Sequence, residues 1–223
     1  MKTVIFQDLG LKDYKESWDY QQELFDKIVS QKQNSAETEN FLLFCEHPNV
    51  YTLGRSGNVN NLLIQESFLK QIQATFYKID RGGDITYHGP GQIVGYPILN
   101  LEILHLTLKN YIFRLEETII RTLKNFHLNA ERLNGATGVW LTDNNLVRKI
   151  CAIGVKASRM VTMHGFAFNI NTNLQYFNYI NPCGFVDKGV TSLSNELSQV
   201  VDIEEVKNIL KKHFSEVFEI ELI

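Results

Sequence analysis

Apolar residues recur along this chain at two spacings, and the two divide it into strands and helices. Val4–Phe6 is a short β-rich run that predicts a first strand. Ser17–Gln33 changes to helical spacing, with Trp18, Leu24, Phe25, Ile28 and Val29 on one side. Phe41–Cys45 reads as a buried strand, and Thr75–Ile79 and Ile93–Leu99 as two more. The clearest helix is Thr107–Phe126, where Leu108, Ile112, Leu115, Ile119 and Leu123 recur at three- and four-residue steps. Gly138–Leu141, a polar Asp143-Asn144-Asn145 turn and Leu146–Val155 predict a hairpin, and Val161–Ile170 a further strand. A second helix starts near Asp202, which stands in capping-box-like spacing with Glu205; Ile203, Val206, Leu210 and Val217 form its buried stripe. Glu219–Ile223 closes the chain as an edge strand. Helices interspersed with strands predict an α+β fold, a mixed β-sheet with packed helices. No linker, repeat or low-complexity segment interrupts residues 1–223, so one domain is expected.

Composition narrows the class. Hydrophobic residues make up 44% of the 223 positions and charged residues 21%, a balance that supports a real core. A net charge of -3 lacks the basic excess of a general nucleic-acid binder. Cys45, Cys151 and Cys183 are odd in number and lack metal-ligand spacing, which argues against a disulfide framework and a zinc site and for a reducing compartment. The apolar patch at Thr3–Phe6 is too short for a signal-peptide core, and no run approaches the ~20 residues of a membrane span. A soluble, cytoplasmic protein with no nucleic-acid or membrane partner is expected.

Three segments depart from ordinary core or surface. Arg81-Gly82-Gly83-Asp84-Ile85-Thr86-Tyr87-His88-Gly89-Pro90-Gly91-Gln92 sets four glycines, an arginine and a histidine between two predicted strands. It is either a multi-turn loop or a place where backbone approaches a ligand, and its spacing matches neither a P-loop nor a dinucleotide fingerprint. In Asn181-Pro182-Cys183-Gly184, a cysteine is held on a shaped loop between a proline and a glycine. Cys45 and Cys151, by contrast, lie in apolar strand runs and read as buried hydrophobes. Arg148-Lys149-Ile150-Cys151-Ala152-Ile153-Gly154 begins an apolar strand with a lysine. That lysine is either an exposed strand-end charge or a group beside a thiol, where its charge favours the thiolate.

Read together, these segments resemble the lipoyl(octanoyl) transferase family, of the lipoate-protein ligase B type. Glu46–Gly54, Arg81–Gln92 continuing through Val94-Gly95-Tyr96-Pro97, Thr137-Gly138-Val139-Trp140, Arg148–Gly154, His164-Gly165-Phe166-Ala167 and Asn181–Gly184 follow the family order. The resemblance runs from about Phe41 to about Leu193. It implies the fold of biotin and lipoate protein ligases. It implies octanoyl-acyl carrier protein as donor, and as acceptor a lysine on a lipoyl domain of a 2-oxoacid dehydrogenase subunit or the glycine-cleavage H protein. It implies Cys183 as the nucleophile that forms a thioester acyl-enzyme and Lys149 as its activator. Arg81, Gly82, Gly83, Asp84, Ile85, Thr86, Tyr87 and His88 match the substrate-binding segments, as do Ala152, Ile153, Gly154, Gly165, Phe166 and Ala167. Because a thioester is already activated, no ATP, metal or other cofactor is expected.

Further readings attach to that resemblance. Backbone N–H groups near Gly82, Gly83 or Gly165 are candidate oxyanion donors. His88 and His164 are candidate bases or pocket walls, and Tyr87, Val94 and Phe166 candidate walls of an acyl slot. Arg148, Lys156 and Arg159 form either a docking patch for acidic carrier proteins or a solvated charged face. An ATP-dependent lipoate or biotin ligase, a non-catalytic binder of lipoyl domains or acyl carriers, and a Cys183–His hydrolase are the competing functions.

Overall fold

The computed structural model describes residues 2–143, 146–181 and 188–223. Strand β1 (Lys2–Leu11) leads into α1 (Tyr14–Gln33), where the Asp13 carboxylate accepts hydrogen bonds from the Lys15 and Glu16 N–H groups. Then come β2 (Phe41–Glu46), β3 (Val50–Leu53), α2 (Glu66–Gln71), β4 (Thr75–Lys78), β5 (Ile85–His88) and β6 (Gln92–Ile98). Helix α3 (Leu108–Asn125) is capped by Thr107 and followed by β7 (Ala130–Leu133), β8 (Ala136–Asp143), β9 (Leu146–Ser158) and β10 (Val161–Asn169). The chain ends in β11 (Gly189–Val190), α4 (Leu193–Leu197), α5 (Ile203–Phe218) and β12 (Ile220–Leu222). At the start of α5 the Asp202 carboxylate accepts from the Glu204 N–H at 2.9 Å, in place of the expected link to Glu205. Among the described residues no helix is long and apolar enough to cross a membrane.

Among the described residues the strands form two sheets. The large one runs β12-β1-β2-β6-β10-β9-β8-β7, with β11 paired to β9, and the small one runs β4-β3-β5. Alternation along the strands gives the large sheet two apolar faces. Leu42, Phe44, Ile93, Phe166 and Phe168 pack beneath α3 and α5 with Leu115, Ile119, Leu210 and Phe214. Leu43, Cys45, Val94, Tyr96 and Met163 point the other way, against Leu24, Phe25 and Ile28 of α1. The expected mixed sheet with packed helices is therefore present.

The Arg81–Gln92 segment is not one loop. It contains β5, which pairs with β3 inside a separate sheet. That sheet packs its own cluster of Tyr51, Leu53, Ile85 and Tyr87 against Leu69 of α2 and Phe177 of the 3-10 helix Leu174–Tyr179. The thiols of Cys45 and Cys151 are fully buried, and burial pushes both well above the ordinary cysteine range, so neither supplies a thiolate.

Candidate active site

A cleft of about 410 Å³ opens where the small sheet faces the α1 side of the large one, beyond the end of α1. Its floor is three adjacent strands in register. Ala167 of β10 stands opposite Val94 of β6 and Ala152 of β9, and Gly165 stands opposite Gly154. Directly opposed residues share a face, so Val94, Ala167 and Ala152 form one rung of a shallow, small-residue trough. On the opposite face the Phe166 ring lies over Gly95, where any Cβ would overlap it.

Lys149 reaches this trough through a fault in β9. Val139 pairs with Cys151, but the next β8 residue, Trp140, pairs with Lys149, so one step on β8 spans two on β9. Ile150 is the extra residue of a β-bulge, and both Ile150 and Cys151 face the helix-side core. Strict alternation from Cys151 would turn Lys149 toward that core as well. The bulge instead puts it on the cleft face with Ala152, where its Nζ lies 4.5 Å from the Trp140 ring centroid. Gly138, at φ 125°, sits beside the bulge; its N–H donates to the buried Glu116 carboxylate at 3.0 Å, and Arg132 braces the other Glu116 oxygen at 3.1 Å.

The far end is closed by the turn before β5. The Gly82 N–H donates to the Val155 carbonyl at 2.9 Å, drawing the turn onto β9 beyond the reach of β8. A Cβ on Gly154 would lie 2.9 Å from the Gly82 oxygen and 3.0 Å from Arg81 Cδ, so Arg81 lies across the floor at that point. Its guanidinium donates to the Thr52 carbonyl at 2.7 Å and hydroxyl at 3.0 Å. Asp84 holds the roof, accepting from the Asn58 and Ile85 N–H groups and from the Asn61 amide.

His88 is locked. Its Nδ1 bonds Gln92 Oε1 at 2.9 Å and its Nε2 bonds the Thr52 hydroxyl at 3.2 Å. Burial, with Arg81 and two histidines nearby, holds its pKa well below the ordinary range. The ladder continues from Gln92 Nε2 to Asn169 Oδ1 at 2.8 Å, from Asn169 Nδ2 to the Thr191 carbonyl at 2.9 Å, and from the Thr191 N–H to the Lys149 carbonyl at 2.9 Å. His88 is therefore a neutral wall of the site and not a base.

His164 differs. Alternation places it with Phe166 and Phe168 on the helix side, yet it lines the cleft, and its φ of 61° re-aims the side chain. Its Nε2–H donates to Asp80 at 2.9 Å, and Asp80 also accepts from Lys156 at 2.6 Å. Burial lowers the His164 pKa against the opposing pull of Asp80, which leaves Nδ1 a bare acceptor with no partner among the described residues.

Arg81, Gly83, Asp84, Ile85, Thr86, His88, Lys149, Ala152, Ile153, Gly154, Gly165, Phe166 and Ala167 all line the cleft. Cys183 lies outside the described residues; the nearest described positions around it are Asn181, whose N–H donates to the Asn61 carbonyl at 2.8 Å, and Lys188. Several expectations are corrected. Tyr87 is not a slot wall: its ring stacks on Tyr176 with centroids 4.8 Å apart, and its hydroxyl donates to Asn49 inside the small-sheet core. The ring of Phe166 packs edge-on to Phe44 in the helix-side core, and only Val94 of the three candidate walls projects into the trough. The Gly82 N–H is engaged by Val155 and is no oxyanion donor. Arg148 pairs with Glu196 and Asp143, whereas Lys156 pairs with Asp80. About seven strand steps, roughly 23 Å once the bulge is discounted, separate these two cations, so Arg148 does not join Lys156 and Arg159 in one continuous patch. Tyr14, Asp80 and Asn169 had no sequence signal as site residues, because only the packing of α1, the turn after β4 and β10 brings them together.

Residues 13–215 match the lipoyl protein ligase A/B catalytic domain. The chain belongs to this family. Among its relatives, an octanoyltransferase of Bacteroides fragilis is 58% identical over 94% of this chain and 95% of its own length. Another octanoyltransferase, from Christiangramia forsetii, is 55% identical over 99% and 98%. In fold, the chain is similar to a bipartite lipoate protein ligase of Thermoplasma acidophilum (TM-score 0.72, 16% identity, 100% of this chain and 86% of that one). The biotin protein ligase of Aquifex aeolicus is more distant (TM-score 0.52, 12% identity, 98% and 70%). The chain shares its fold with these ligases.

Proposed function

We propose that the chain transfers an octanoyl group from acyl carrier protein to a lysine of a lipoyl domain through a thioester on Cys183. Octanoyltransferase relatives above half identity support the group transferred. The observation that carries the residue roles is the pairing of Val190 with Lys149, which ties the strand following the Cys183 segment to the cleft-facing lysine.

Lys149 takes the Cys183 proton, and the thiolate adds to the donor carbonyl. The carrier C–S bond then breaks, and the departing carrier thiolate recovers a proton from Lys149. In the second half the acceptor amine attacks the acyl-enzyme, a C–N bond forms, and its proton passes to Lys149 as the Cys183 thiolate leaves. Exchange between thioesters is nearly balanced, and amide formation drives the sum; the division into two steps is what covalent catalysis provides. ATP and metal have no part in this scheme. A free thiol suits a reducing, cytoplasmic setting. Lipoyl domains of 2-oxoacid dehydrogenase subunits and the glycine-cleavage H protein are the proposed acceptors.

The test is an intact mass after incubation with octanoyl-acyl carrier protein and no ATP. One octanoyl increment, removed by hydroxylamine and absent in Cys183→Ala, supports the thioester. No adduct, with lipoyl-domain modification only when ATP and free octanoate are supplied, would replace it with an adenylating ligase.

A further inference from the structure

The cleft has a definite axis. Lys149 marks one end, and Arg81 lies across Gly154 at the other. Between them the floor offers the rung Val94–Ala167–Ala152 and then two opposed glycines, Gly165 and Gly154. Because the bulge absorbs one residue, Gly154 lies about four strand steps from Lys149, roughly 13 Å at strand spacing. Ala152 lies about 7 Å along this path by the same spacing. The closed end is polar: besides Arg81, it presents Tyr14 and His164, whose Nδ1 has no partner among the described residues.

We propose that this trough sets the acyl-chain length, with Ala152 and Ala167 as its bed and Arg81 over Gly154 as its end stop. The inference rests on the reading that the acyl carbonyl reacts beside Lys149. A straight medium-length chain runs from there over the alanine rung and gains apolar contact with each methylene. A chain that reaches the stop gains nothing more, because its tip meets a guanidinium and an imidazole that an alkyl group cannot satisfy. Nor can the stop yield easily: the Gly82–Val155 hydrogen bond fixes the turn, and Thr52 holds the guanidinium. The bed is shallow only because its residues are small, so a larger side chain at Ala152 blocks the path part-way.

The experiment measures kcat/KM of the full chain for butanoyl- through dodecanoyl-acyl carrier protein, with a lipoyl domain as acceptor. In the wild type, efficiency rises with length and then drops at least about tenfold by dodecanoyl. Ala152→Leu moves the drop to shorter chains. It lowers octanoyl relative to butanoyl by roughly tenfold or more, at about fourfold for each displaced methylene. Ala152→Val, the smaller increment, falls between. Dodecanoyl transfer equal to octanoyl in the wild type would overturn the stop even if neither variant folds, and an equal loss at every length in Ala152→Leu would overturn the bed. Failure of the wild type with every donor is a different result: it removes the proposed function, and the length stop with it.

Discussion

Lys149 and Trp140 are cross-strand partners, and the lysine Nζ rests 4.5 Å from the indole centroid. The indole is almost wholly buried, so it is a rigid platform that orients a half-buried lysine along the cleft wall. A cation held over an aromatic face gains about 0.5–2 kcal/mol depending on desolvation. That is enough to favour one lysine rotamer.

Lys149→Ala is therefore expected to cut transfer by about 10²–10⁴-fold, the usual range for a positioned proton carrier. Its thermal midpoint stays near that of the wild type. Lys149→Arg does not rescue, because a guanidinium keeps its protons. Steady-state transfer to a lipoyl domain and a melting curve check both halves, and near-normal turnover of the alanine variant removes Lys149 from the mechanism.

Gly95→Ala is expected to destabilise the fold by about 1–3 kcal/mol, the cost of overpacking a close-packed core. The new methyl would overlap the Phe166 ring. Phe166→Leu in the same chain should recover part of that loss, because the two changes share one space and are not additive. Urea denaturation of the two single variants and the double gives the coupling, and strict additivity would show that the ring moves aside unaided.

His47 gives the protein an acid-sensitive core. Its Nδ1–H donates to the Lys12 carbonyl at 2.7 Å, and its Nε2 accepts from the Tyr96 hydroxyl at 2.7 Å. Burial pushes its pKa down to about 4, and the bond to Lys12 opposes this only in part. The unfolded chain takes up this proton near pH 6.5, and the folded one not until about 4. Stability therefore falls as pH drops through that window, by about 3 kcal/mol in all, and is flat with respect to this group above it. Unfolding free energies at pH 7 and 4.5 should differ less in His47→Gln than in the wild type; equal slopes would refute the assignment.

Asp80 acts in a lower window. The His164 hydrogen bond, opposed by burial and reinforced by Lys156, holds its carboxyl well below the ordinary range. A depressed carboxylate contributes stability that is present above about pH 4 and is lost as acid protonates it in the folded state. Asp80→Asn should lie below the wild type in stability at neutral pH and converge with it in strong acid. Acid titration followed by near-ultraviolet circular dichroism would show this, and a constant gap between the two curves would contradict it.

The helices and the central strands were readable because their apolar residues sit on one face or are buried throughout. Leu115, Ile119 and Leu123 of α3, the continuous apolar run of β2 and the largely apolar β6 and β10 left little choice. Strands β3 and β5 were not readable. Each is four residues long, and the glycines around β5 suggested a loop. Their identity comes from pairing with each other, a contact between segments more than thirty residues apart in sequence. The site divides the same way. Residue types and order pointed to the cleft-lining segments, but the side chains that face it depend on local faults in the strands. Alternation would have placed Lys149 and His164 on the core side; a bulge turns the first and a left-handed backbone the second.

The extra residue at Ile150 makes β9 a strand with two phases. Before it, residues in step with Lys149 face the cleft; after it, those in step with Ala152 and Gly154 do. The register of the reactive end is thus decoupled from that of the floor. A conservative replacement of Ile150 leaves both phases intact, whereas its deletion would merge them into one even alternation, with Lys149 still opposite Trp140 on the cleft face and Cys151 still opposite Val139 on the core face. The extra residue is thus slack in the strand, and the pairing of Lys149 with Trp140, more than the length of β9, is what keeps the lysine on the cleft face.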